Sequence, residues 1–354
     1  MVRAVRPRVP SPRRARRARK AWSRLSDDEL LKLRFCDLGL TVRGSPIERS
    51  VRRLYAELRA RGIRCQPHVW LAEEWFTPDG VPGIAVPFYL AHPRLTRLER
   101  HLMTQAEGGD SRSFMRILRH EAGHAIDNAY RLRRRKCWRE VFGSASQRYP
   151  QRYTARPASR RYVHHLGDWY AQAHPTEDFA ETFAVWLTPR SAWRTRYVGW
   201  PALRKLLLVE QLMTEARGRV PPVRNRTRIE PIETNRRTLG EHYRRKLAHY
   251  GRYRRSTIDV LLQWLFSAER PRRDALRVAT LLRANRRALI ERVSRELGLP
   301  RYSVREIVRA MIDRSDALQL YIRGDRRDAV HVARWLLERL ASLYSQGETP
   351  HMPL

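Results

Sequence analysis

Apolar residues recur along most of this chain at intervals of three and four, the spacing of helices with one buried face. The first such run opens at Leu25-Ser26-Asp27-Asp28-Glu29, where Ser26 and Glu29 stand at capping-box distance ahead of Leu30, Leu31 and Leu33. A second opens at Ser45-Pro46-Ile47-Glu48, with proline at the first helical position, and is expected to stop at Gly62. The pattern then changes. His68-Val69-Trp70-Leu71 and residues 84–90 are rich in β-branched and aromatic side chains, and the turn-forming Thr77-Pro78-Asp79-Gly80 and Pro82-Gly83 lie between them. They predict two strands, the second at a sheet edge because Pro87 lacks the N–H that a ladder needs.

Helical spacing returns near residue 94, breaks at Gly108-Gly109-Asp110 and resumes over residues 111–132. An irregular stretch with Gly143, Pro150, Pro157 and Gly167 follows, then a short helix opening at Pro175-Thr176 and another at Pro201. Residues 217–231 hold three prolines and five arginines and mark a candidate boundary. Beyond it, residues 236–345 read as several amphipathic helices with apolar stripes such as Val260, Leu261, Trp264 and Leu265. Two short strands among many helices predict an α+β fold, mainly helical with a small sheet and C-terminal helices.

Composition adds a tail and a charge. Residues 1–20 carry eight arginines, Lys20, three prolines and no acid, too little apolar surface to fold, so a disordered basic tail is expected there. The remainder divides into a first domain over 21–225 and a helical C-terminal region over 226–354. With 354 residues, 42% of them hydrophobic, the chain has enough material for a real core. Cys36, Cys65 and Cys137 are too few and too far apart in sequence for a disulfide framework or a paired-cysteine metal site, and are expected reduced and buried. No apolar run reaches membrane-spanning length and no secretory stretch opens the chain, so a cytoplasmic protein without a membrane span is expected.

The net charge of +36 would usually point to nucleic acid or another polyanion. Here 67 of the 72 basic residues are arginine, a skew that codon drift can produce, and they are spread over the whole chain. Solvated surface charge and a functional polyanion contact both stay open. No zinc-finger, homeodomain or RNA-binding signature accompanies the charge, and residues 242–250 come nearest to a basic module with interleaved aromatics.

The chemistry lies in His120-Glu121-Ala122-Gly123-His124, an H-E-x-x-H motif inside a predicted helix. Residues four apart share a helix face, so His120 and His124 can bind one Zn2+ ion. Glu121, beside His120, is in reach of the attacking water and suits a general base. The small Ala122 and Gly123 suit close helix packing behind the metal. A catalytic zinc needs a third protein ligand and an open position. A metzincin would have glycine at 127 and histidine at 130, whereas this chain has Asp127 and Tyr130. Downstream, Pro175-Thr176-Glu177-Asp178-Phe179-Ala180-Glu181 offers three carboxylates, with Glu177 and Glu181 on one helical face. One can bind zinc while the other steadies a ligating histidine through its free ring nitrogen.

On these two motifs the chain resembles the gluzincins, closest to the lethal-factor-like branch and to the bacterial family called putative zinc-binding metallopeptidases. The resemblance implies a zincin-like domain that hydrolyses peptide bonds of a peptide or protein substrate. It makes Glu177 the third ligand and Glu181 the acid behind His120. It also singles out Tyr170, seven residues before Glu177, where that branch has a tyrosine donating to the oxyanion or leaving group; an ordinary packing role for Tyr170 stays open. His164, His165 and His174 are read as surface or supporting groups, and Asp127 either bonds near the site or caps an exposed face. The 84–90 edge strand either aligns a substrate strand or is simply protected by Pro87. The alternative function is a nucleic-acid-binding basic protein with a structural or inactive metal site, and the arginine-rich tail is expected to make at most weak, non-specific polyanion contacts.

Overall fold

The computed structural model describes residues 22–354 except 104–105, 151, 154–155, 157–158, 168, 251–256, 271–273, 346–351 and 354. The expected basic tail lies outside the described residues. The chain forms the anticipated α+β architecture, mainly helical with a small parallel sheet. Its helices are α1 (Asp27–Leu31), α2 (Pro46–Ala60), α3 (Pro93–Met103), α4 (Ser111–Tyr130), α5 (Lys136–Phe142), α6 (Pro175–Leu187), α7 (Trp193–Arg196) and α8 (Ala202–Ala216). They continue with α9 (Leu239–Tyr250), α10 (Thr257–Leu265), α11 (Val278–Glu296), α12 (Arg301–Ala317) and α13 (Arg326–Ser345). Strands β1 (His68–Ala72) and β2 (Gly83–Pro87) pair in parallel, from His68 opposite Gly83 to Ala72 opposite Pro87.

Local signals explain the helix ends. The Ser26 hydroxyl accepts from the Glu29 N–H while the Glu29 carboxylate accepts from the Ser26 N–H, closing the expected capping box. On α2 the buried residues Ile47, Val51, Leu54 and Leu58 form one stripe, each large side chain contributing about 1.5–3 kcal/mol when taken from water. That helix stops at Ala60, and Gly62 follows at φ +73°, a left-handed turn that favours glycine. Asp110 caps α4 by accepting from the N–H groups of Arg112 and Ser113.

Two hydrophobic clusters dominate. The larger runs from Trp22 to Tyr243 and includes α2, α4, α6, α8 and the buried face of β2; α9 joins it through Leu239 and Tyr243. Polar contacts reinforce that docking: His242 Nδ1 lies 2.7 Å from Glu73 Oε2, and Lys246 Nζ forms ion pairs at 2.9 and 3.0 Å with carboxylate oxygens of Glu74 and Glu99. The smaller cluster is built by α10 to α13 together with Tyr153, Trp169 and Ala173.

Several local expectations need revision. The second strand ends at Pro87, where a 3-10 turn, Phe88–Ala91, begins. β2 is the edge strand of a two-stranded sheet, as Pro87 suggested, but it is buried throughout, and a single antiparallel bridge from Phe76 to Ala85 lies on the side away from β1. On α10, Ile258 and Leu262 face inward, as does Phe266 just past its end, while Val260 and Trp264 are exposed, because the helix is apolar on more than one side and spacing alone could not choose the buried one. Of the cysteines, Cys65 is buried, while Cys36 and Cys137 are only half-buried.

Candidate metal centre

The site forms where α4 crosses α6. At Gly123 a Cβ would sit 2.8 Å from Ala180 Cα, so the crossing needs glycine, and the close approach sets the faces of the two helices against each other. Both helices are anchored from behind. Arg119 of α4 makes two 2.7 Å hydrogen bonds to the buried Glu57 carboxylate of α2, and Lys205 of α8 donates to Asp178 of α6 at 2.5 Å. The start of α6 is held by Pro175 and by His174, whose ring accepts from the Thr176 N–H.

The crossing brings His120, His124 and Glu177 together as a group able to hold a metal ion. Their facing atoms, His120 Nε2, His124 Nε2 and Glu177 Oε2, lie 3.0, 3.2 and 3.2 Å from one another. Those separations fit the ~3.3 Å edges of a tetrahedron with zinc bonds of about 2.0–2.1 Å. The other nitrogen of His120, Nδ1, donates to Glu181 Oε1 at 2.9 Å, and the second oxygen of Glu181 accepts from the Leu166 N–H at 2.8 Å. A carboxylate on Nδ1 fixes the tautomer that leaves Nε2 as a lone-pair donor, as zinc requires. The donor set therefore suits a zinc ion: two imidazoles and one carboxylate converge, with no cysteine to close a structural site.

Burial would lower the His120 pKa, but hydrogen bonds to Glu177 and Glu181 outweigh it and raise it well above the ordinary value. Burial likewise would raise Glu177 and Glu181, and the neighbouring imidazoles instead hold both carboxyls below the usual range.

Glu121 faces a different partner. Thr77 Oγ1 donates to Glu121 Oε2 at 2.9 Å and lies 3.2 Å from the Glu121 carbonyl oxygen. The loop carrying Thr77 is tied to the same helix: Asn128 donates to the carbonyls of Pro78 and Val81 and accepts from the Gly80 N–H. Arg133 closes the arrangement by donating to Asp79 at 2.8 Å and to the buried Asp127 at 2.5 and 2.7 Å. Asp127 thus neither binds the cluster nor caps an exposed face; it fixes Arg133 at the end of α4.

Tyr170 comes to the cluster from a 3-10 turn, Tyr170–Gln172, with its ring centre 5.5 Å from that of His120. Its hydroxyl lies 3.4 Å from that of Tyr149, whose ring packs 4.8 Å from His174. Burial, and then the Glu177 carboxylate, push both phenols far above their ordinary pKa, so each remains a neutral donor. His165 and His164 stay outside. Burial pushes His165 down to about 4 as its Nε2 pairs with the Arg116 carbonyl, and burial also lowers His164.

Sequence reasoning missed Thr77 and Tyr149. Thr77 stands in a stretch that reads only as a turn, and Tyr149 in the irregular segment before Pro150, so neither carries a periodic signal.

A His-His-Glu cluster on two crossing helices defines a candidate zinc-site protein. Residues 96–199 match the sequence model of a family described as putative zinc-binding metallo-peptidase, and this stretch contains both α4 and α6. The chain is similar to that family over these residues. Neither the curated proteins nor the solved structures contain a significant match to the chain.

Proposed function

We propose that the protein is a zinc-dependent metallopeptidase of the gluzincin type, close to the lethal-factor-like branch, acting on a peptide or protein substrate. The observation that carries the reading is the convergence of His120 Nε2, His124 Nε2 and Glu177 Oε2 with His120 Nδ1 backed by Glu181. In this reading His120, His124 and Glu177 hold the metal. Zinc bound there supplies a Lewis acid that makes water acidic enough to attack at neutral pH.

The protein's own groups handle the protons and the developing charge. Glu121 takes the proton of the attacking water on a carboxylate oxygen and returns it to the leaving amine nitrogen, while the Thr77 hydroxyl keeps that carboxylate in one orientation. The Tyr170 hydroxyl, neutral at working pH, donates to the oxygen of the scissile carbonyl as it gains negative charge. Tyr149, beside it, is a second donor in reach of the same region.

Nucleic-acid binding is the weaker reading, because no side-chain arrangement at the site favours it. The +36 charge supports only weak, sequence-independent polyanion contacts, with residues 1–20 contributing nine of the positive charges. Among the described residues, no helix is long and apolar enough to cross a membrane.

The test is Glu121→Gln beside the parent protein. The parent should bind one zinc per chain and cleave a peptide library, and the variant should keep the zinc while turnover falls about 100- to 10,000-fold. A parent without zinc, or a variant that cleaves as well as the parent, would sink the reading.

A further inference from the structure

The segment that carries Tyr170 is gripped from two sides. On the first side Val163 belongs to the larger core, His165 Nε2 pairs with the Arg116 carbonyl of α4 at 2.9 Å, and the Leu166 N–H donates to Glu181. On the other side Trp169 and Ala173 are buried in the smaller core made by the C-terminal helices, and Tyr170 packs against that core. Helix α12 adds two direct holds. Arg309 Nη2 donates to the His165 carbonyl at 3.1 Å, and the Tyr302 ring lies 4.8 Å from Trp200 and 6.3 Å from His164, under the guanidinium of Arg160.

The backbone at Trp169 gives this second grip something to hold. Trp169 has φ 55° and ψ 37°, the left-handed region that a large side chain rarely adopts, and it is the residue that turns the chain into Tyr170–Gln172. Such a conformation is costly for a residue with a Cβ, and burial of the indole in the second core offsets that cost at Trp169. Loss of that burial leaves only the local backbone bonds of the turn, such as Gln172 N–H to the Trp169 carbonyl at 2.9 Å, to hold residue 169, and a change of backbone region at one residue swings the next side chain through several ångströms.

We propose that the C-terminal helices α10 to α13 are the positioning half of the site: they hold the Trp169 turn, and through it the Tyr170 hydroxyl, against the His120, His124 and Glu177 cluster. Trp169 and Arg309 are the positioning residues. The consequence for turnover rests on the peptidase reading; the mechanical coupling does not. The C-terminal helices thereby acquire a function that leaves metal binding to α4 and α6 alone.

The experiment uses the full chain with Trp169→Gly, Trp169→Phe and Arg309→Ala, and reads amide hydrogen exchange together with bound zinc and peptide hydrolysis. Glycine permits the left-handed turn but removes the anchor. For Trp169→Gly, exchange over residues 163–173 should rise at least about tenfold while 115–125 in α4 keeps its protection and zinc stays at the parent's level. Trp169→Phe should restore most of the protection. Arg309→Ala, which removes one hydrogen bond at the rim, should give the same local signature at smaller amplitude. Hydrolysis, where the parent shows it, should lose kcat with KM unchanged. Unchanged protection of 163–173 in both Trp169→Gly and Arg309→Ala overturns the proposal, as does exchange that rises equally in α4. A parent that binds no zinc and cleaves nothing would remove the peptidase reading while leaving the exchange comparison decisive.

Discussion

On α4 and α6 the four side chains His120, His124, Glu177 and Glu181 hold one another, every contact made between groups on rigid helices that cross at a glycine. Tyr170 and Tyr149 lie beside that cluster and Thr77 beside Glu121, all three on non-α-helical segments, and their positions depend on Asn128 bonds to loop carbonyls and on the second core. The helical half is suited to holding a cation, which needs fixed donors at fixed separations. The loop half is suited to protons and transient charge, which need donors that reach the substrate from outside the metal cluster. If that division is real, variants of the two halves should separate zinc affinity from turnover.

The largest effect is expected from Glu177→Ala. It removes a donor and leaves two imidazoles facing a cavity, so zinc affinity should fall by more than the roughly 10- to 100-fold typical of losing an outer partner. Competition with a chelator measures it. Zinc affinity equal to the parent's would take Glu177 out of the helical half and break the comparison at its strongest point.

Tyr170→Phe comes next and acts on the other half. Zinc content and KM should hold while kcat falls about 100- to 1000-fold, the loss seen when one donor to a developing oxyanion is removed. Tyr149, 3.4 Å away, gives the outcome a second use: if Tyr170→Phe is mild and Tyr149→Phe severe, the donor has been assigned to the wrong phenol but still lies on a loop. A loss of zinc from Tyr170→Phe would erase the distinction between the halves.

These two halves also differed in how far they could be anticipated. His120, His124, Glu177 and Glu181 were legible because helical periodicity turns a spacing of four into a shared face, and the motif chemistry needs no tertiary information to be recognised. That the two faces meet was carried only by resemblance, since a gap of 53 residues between His124 and Glu177 says nothing about contact. Thr77 was invisible because Pro78, Asp79 and Gly80 already account for its position as a turn. The exposed side of α10 was misjudged for a related reason, as a helix apolar on several faces gives periodicity no contrast to read. Asp127 looked ambiguous and resolved to a buried partner of Arg133, an interaction across the helix terminus that no local pattern encodes.

Glu181→Ala should have a smaller effect than Glu177→Ala, though on the same property. It deprives His120 Nδ1 of its carboxylate and frees the Leu166 N–H, so zinc affinity should drop by about 10- to 100-fold. Equal losses for the two glutamates, or a larger one for Glu181, would exchange their roles. Because Leu166 lies on the segment leading to Tyr170, Glu181→Ala should also slow turnover at saturating zinc, so that Glu181 serves both halves.

The smallest effect, and the sharpest test of the loop half, is Thr77→Val. Valine keeps the shape and the β-branch of threonine, so the loop fixed by Asn128 and Arg133 should stay in place and only the donor to Glu121 Oε2 is lost. A hydrogen bond to a charged group contributes about 1.5–3 kcal/mol when no water can replace it, but Thr77 is only half-buried, so a loss in kcat of roughly 3- to 10-fold is expected. Zinc content should be that of the parent, because Thr77 touches none of the three metal-facing atoms. A drop as deep as that of Glu121→Gln would mean that the hydroxyl does more than orient the carboxylate, and that Thr77 itself meets the substrate or its water. No change at all would mean that Glu121 finds its orientation from the helix alone, and the proton-handling group would then belong with the rigid half of the site.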